Sequence, residues 1–148
     1  MSSFTLNSNK NFFRIVMAFF GIVFLVTDII FLFFPHELFD YTNLVSSYLG
    51  FIHPFPFPHE KFWLILTNAM MVMITFISFK VAINPVDNMA LVPVVLIAKL
   101  TSSITALVYF FCEDQYFAYL LIFIVDFPIF IAIYYSYLKA KRSVRIFS

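Results

Sequence analysis

Lys99 and Asp126 are the residues whose chemistry most needs an account, because each stands near the middle of a long apolar run. A charge at that depth of a bilayer costs roughly 2.5–3.5 kcal/mol on insertion scales, so each requires a partner. The stretch between the two runs, Cys112 to Gln115, is long enough only for a hairpin turn. The runs are therefore antiparallel neighbours, with Lys99 and Asp126 at similar depth. Pro128 removes one helical hydrogen bond and frees the carbonyl of Ile124, a second acceptor within reach of an ammonium. Ser102 and Ser103 stand one turn beyond Lys99, Asp28 lies in the outer part of the first apolar run, and Asn68 lies in the second.

Three chemistries fit these six residues. The first is a structural clamp in which Lys99 and Asp126 fix helix register. Such a pair adds little net stability, yet loss of one partner leaves an uncompensated charge. The second is a pocket for a sterol- or lipid-like ligand, with Asp28, Asn68 and Ser103 adding polar contacts. The third is catalysis or proton-coupled transport through Asp126 and Lys99. No nucleophile, base and orienting group occur together, no Gly-rich phosphate loop exists, and no apolar run holds a histidine. No catalytic residue and no cofactor are assigned, and the clamp leads.

The elements that must position these residues follow from composition. Of 148 residues, 63% are hydrophobic and 11% charged, against about 25% charged in a soluble domain. Mean hydropathy is +0.97. Such a chain buries its apolar surface in lipid. Apolar spans at about 12–34, 62–80, 91–112 and 116–137 are each long enough to cross a bilayer. The expected fold is all-α: an integral-membrane four-helix bundle forming one domain, with a long outer loop between the first two helices.

In the first span Ala18, Gly21 and Asp28 share a face at helical spacing, which lets another helix approach closely. Pro35 ends that span. Phe39, Tyr41, Leu44, Val45, Tyr48 and Leu49 then recur like one face of a short interfacial helix. From His53 to His59 every second residue between the histidines is proline. That pattern forbids a helix and favours an extended arm whose Phe rings enter the headgroup layer. His36, His53 and His59 share this loop with Glu37, Asp40 and Glu60, but their spacing matches no metal-ligand set, and no metal is expected.

Trp63 opens the second span at aromatic-belt level. Asn68, Thr75 and Ser78 form a polar stripe that should face other helices, while Met70, Met71 and Met73 offer a soft packing surface. Asp87 or Asn88 is expected to N-cap the third span. In that span Ala98, Ser102 and Ala106 form a seam of small residues beside the row of Lys99 and Ser103. Cys112 is the lone cysteine and reads as apolar filler. Lys10, Arg14, Lys80, Lys139, Lys141, Arg142 and Arg145 fall on the side of the two termini, and only Lys61 on the other. Positive-inside counting makes both termini cytoplasmic. Residues 139–145 form a basic tail that suits anionic headgroups or simply fixes topology.

Several of these features together resemble one family. Asp28 is followed by Pro-His-Glu-Leu-Phe at 35–39, Trp63 opens the second span, and Lys99 precedes the hydroxyls of Ser102 and Ser103. Glu113 and Asp114 close the third span. This arrangement, with four spans and both termini cytoplasmic, resembles the EXPERA family, which includes the sigma-2 receptor and the sterol isomerases. The family carries a functional glutamate inside its second span, where this chain has no acid, and Lys99 stands where sigma-2-type members have histidine. The resemblance therefore implies binding of a lipidic ligand and not sterol isomerisation. The same outline fits small bacterial four-span proteins. The expectation is a non-enzymatic, multi-pass membrane protein. Its partners are the bilayer and either further copies of itself or other membrane subunits, with no nucleic acid.

Overall fold

In the computed structural model, residues 3–49, 53–56, 61–112 and 115–145 are described, with side chains only within 8–142. His59, Glu60, Glu113 and Asp114 lie outside the described residues. The chain forms α1 (Ser3–Phe33), α2 (Pro35–Leu49), α3 (Lys61–Ile83), a 3₁₀ turn (Met89–Leu91), α4 (Val92–Cys112) and α5 (Phe117–Arg145). Four of these helices, all but α2, are long and apolar enough to cross a membrane. A helix satisfies every backbone group within its own segment, which is what lipid demands.

The spanning helices outrun the apolar stretches. α3 continues past Lys80 to Ile83, and α5 continues past Tyr137 to Arg145. The basic residues after 137 are thus helical rather than a tail. Lys and Arg are good helix formers, and continuing the helix keeps its carbonyls paired. The ammonium of Lys139 lies 4.4 Å from the ring centre of Tyr135, one turn back. Pro128 sits inside α5 without ending it.

The helices stand in a row rather than a square. α1 packs along α3 on one side and α5 on the other, and α5 packs along α4, whereas the consecutive helices α3 and α4 meet only sparingly. The inward stripe of α1 is Phe13, Met17, Gly21, Phe24 and Asp28, at spacings of three and four. A Cβ at Gly21 would lie 3.1 Å from the Phe79 ring, so the missing side chain is what lets α3 come this close. On α4 the buried row is Val92, Val95, Leu96, Lys99, Ser103 and Ala106. Ala98 and Ser102 are only partly buried, so the seam lies one row away from the expected one and centres on the lysine.

α2 inverts the pattern of a water-soluble amphipathic helix. It buries Thr42 and Ser46 and exposes Tyr41, Leu44, Val45 and Tyr48. Its Phe39 turns inward instead, onto Phe55 at 5.6 Å between ring centres. Phe55 packs on protein as well, meeting Tyr116 at 5.2 Å and Tyr119 at 5.6 Å. The arm is tied down by its backbone. Asn43 donates from Nδ2 to the Phe55 carbonyl at 3.0 Å and accepts the Phe55 N–H on Oδ1 at 2.7 Å. The His53 N–H donates to the Gln115 carbonyl at 3.0 Å. Between α3 and α4, Asn88 makes no side-chain cap for the following turn. Its Nδ2 instead reaches back to the carbonyls of Asn84 (2.9 Å) and Lys80 (3.3 Å). Each of these carbonyls also accepts a backbone N–H, from Asn88 and Asn84 respectively, and its second lone pair takes the amide.

Candidate functional site

The row consists of two antiparallel pairs, α1 with α3 and α4 with α5, and each carries one polar junction. In the second pair Lys99 Nζ donates to Asp126 Oδ1 at 2.8 Å, with side chains 8% and 13% exposed. Ser102 lies one helical turn beyond Lys99, and its hydroxyl donates to Asp126 Oδ2. The same hydroxyl is 3.0 Å from the Lys99 carbonyl. Both carboxylate oxygens are thereby engaged by α4. Ser103 is buried, but its hydroxyl turns to the Lys99 carbonyl at 2.7 Å and takes no part in the ion pair. The Ile124 carbonyl is not among the hydrogen-bond partners of Lys99 among the described residues. The ammonium instead lies 4.6 Å from the ring centre of Phe24 on α1. A cation over an aromatic face gains most where water is excluded.

In the first pair Asn68 Nδ2 donates to Asp28 Oδ1 at 2.8 Å. The structure thus divides the six residues. Lys99, Asp126 and Ser102 form one cluster, Asp28 and Asn68 form another, and Ser103 serves the helix backbone. Asp28 is 6% exposed, and Thr75 Oγ1 is the one buried side-chain polar atom without a partner among the described residues. Phe24, whose ring faces the Lys99 ammonium, lies one turn before Asp28 on α1.

The unpaired Thr75 hydroxyl lies two turns before the end of α3, as Lys99 lies two turns after the start of α4. With the two helices joined by a short turn, both stand at one depth. Among the described residues no three of His, Cys, Asp and Glu side chains gather as a metal would require. Cys112 is exposed.

Three contributors were missed from the sequence. Phe24 is one of 23 phenylalanines, and nothing local marks it as the ring over the lysine. Nothing local marks Asn43 either, since Asp40, Ser46 and Ser47, one turn away on α2, are polar like it. Arg14, whose Nε donates to the Ala82 carbonyl at 3.0 Å, did carry a signal: an arginine just inside an apolar span must find an acceptor.

No protein-family model, curated protein or solved structure matches this chain. The class that fold and site define is a multi-pass helical membrane protein with a neutralised charge pair at mid-span.

Proposed function

We propose that this protein is a non-enzymatic integral-membrane subunit. It assembles with copies of itself or with other membrane proteins, and Lys99–Asp126 is the structural clamp of its α4–α5 hairpin. The observation that carries this reading is the engagement of both Asp126 oxygens within the hairpin, by Lys99 and Ser102. A carboxylate so occupied fixes helix register rather than awaiting a substrate or proton. Assembly draws support from the open row, in which α3 and α4 leave their outer flanks free of other helices of the chain. Both termini face the cytoplasm, on the Lys and Arg bias of the sequence. Native mass spectrometry after gentle extraction tests this: a defined oligomer or a constant co-purifying subunit is expected. A monodisperse monomer with no bound protein overturns it.

A second reading, a site for a sterol- or lipid-like ligand among the helices, takes its support from Thr75. Its hydroxyl is 7% exposed at the residue level, has no partner and shares the depth of Lys99. The same spectra separate the readings, because a ligand gives a retained adduct of lipid mass that Thr75→Val loses.

A further inference from the structure

The end of the bundle that carries both termini holds a feature the polar centre does not use. Arg14 reaches from α1 across to α3, where its Nε donates to the Ala82 carbonyl at 3.0 Å. Ala82 lies in the last turn of α3, where carbonyls have no intrahelical donor. The bond caps α3 and also orients the guanidinium plane. With Nε committed to the backbone, the two terminal Nη groups have no other hydrogen bond or ion pair among the described residues.

Beside this group runs an open groove of about 360 Å³, lined by Asn11, Arg14, Ile15, Ala18 and Ala82. Along α1 its lining passes from polar (Asn11, Arg14) to apolar (Ile15, Ala18) over roughly 10 Å of helix. That is the gradient a phospholipid presents between its phosphate and its first acyl carbons. Ala18 and Ala82 keep the groove open by being small. No acid lines it. Asp87, the acid of the nearby 84–88 turn, is taken by Asn84 Nδ2 at 2.6 Å. Phe13 packs on Tyr137, 6.4 Å between ring centres, and this brings the basic end of α5 to the same level.

We propose that this groove binds the phosphate of an anionic membrane phospholipid. The Nη groups of Arg14 grip the phosphate oxygens as a fork, the Asn11 amide adds a donor, and the acyl chains start along Ile15 and Ala18. A fixed guanidinium suits the spread oxygens of a phosphate better than a point-charge ammonium does. The guanidinium, and a lining without an acid among the described residues, favour a lipid with net negative charge.

The test is native mass spectrometry of the full chain in mild detergent, titrated with phosphatidylglycerol and phosphatidylcholine of identical acyl chains. Wild type is expected to retain phosphatidylglycerol about fivefold more strongly, the effect of one well-placed cation. Arg14→Gln should abolish that preference, and Arg14→Lys should keep only part of it. Ala18→Leu fills the groove while leaving Arg14 in place and should also lower retention, which covers the case in which loss of the α3 cap unfolds the Arg14 variants. Millimolar inorganic phosphate should leave the lipid bound. Equal retention of the two lipids, an undiminished preference in well-folded Arg14→Gln, or displacement by free phosphate each overturns the proposal.

Discussion

The two helix pairs solve the same problem, a carboxylate buried between antiparallel helices, in different ways. In the α4–α5 pair Asp126 receives a full cation and a hydroxyl, and the cation is backed by an aromatic ring. In the α1–α3 pair Asp28 receives, among the described residues, the neutral amide of Asn68 and no cation. Depth accounts for the difference. Asp28 lies within two turns of the end of α1 at Phe33. Asp126 stands deep in its span, where only a counter-charge neutralises a carboxylate. The small-residue contact of α1 with α3, at Gly21, needs no charge to define its register, whereas the α4–α5 contact takes its register from the pair itself.

The sharpest way to break this comparison is Asp126→Asn, which strands Lys99 in the bundle. A loss of about 3–5 kcal/mol is expected, read by unfolding in mixed micelles. The Lys99→Met, Asp126→Leu double variant should recover most of it. If the single losses merely add in the double variant, the residues are not coupled and the contrast fails. Ser102→Ala comes next, at about 2 kcal/mol for a hydrogen bond to a charged group. Ser103→Ala should cost far less, because its bond stays within its own helix. Asp28→Asn should cost about 1 kcal/mol by the same assay; a loss equal to that of Asp126→Asn would remove depth as the explanation. The smallest effect belongs to Thr75→Val, which deletes an unpaired buried hydroxyl at nearly constant shape and should be neutral or stabilising by up to about 1 kcal/mol. A clear loss there would mean that the hydroxyl has a bound partner, and would move the balance toward the ligand reading.

The ion pair was legible because two local facts sufficed: a charge inside each of two apolar runs, and a connection too short for anything but a hairpin. The Asp28–Asn68 junction was legible only as two separate residues. Their helices are joined through α2 and the arm, and no spacing rule crosses such a connection. Of the two N-cap candidates, Asp87 and Asn88, Asn88 stands at the N-cap position, but its side chain makes no cap and donates back to the Asn84 and Lys80 carbonyls, a choice that sequence does not specify. Lys99, Ser102 and Ser103 were placed together correctly on α4, but the roles of the serines rest on side-chain torsions that sequence does not specify.

Sequence by itself therefore determined that four apolar helices form, that α4 and α5 run antiparallel, and that Lys99 needs an acid. Each follows from what lipid forbids: an unpaired backbone group and an uncompensated charge. Tertiary structure alone decided the order of the row, the neighbour of Asp28, the ring of Phe24 over the lysine and the reach of Arg14 to Ala82. Lipid tails and helix interiors are equally apolar, so hydrophobic periodicity does not say which face of a spanning helix meets protein. That choice is made by shape, small residues and the few polar atoms that must find one another.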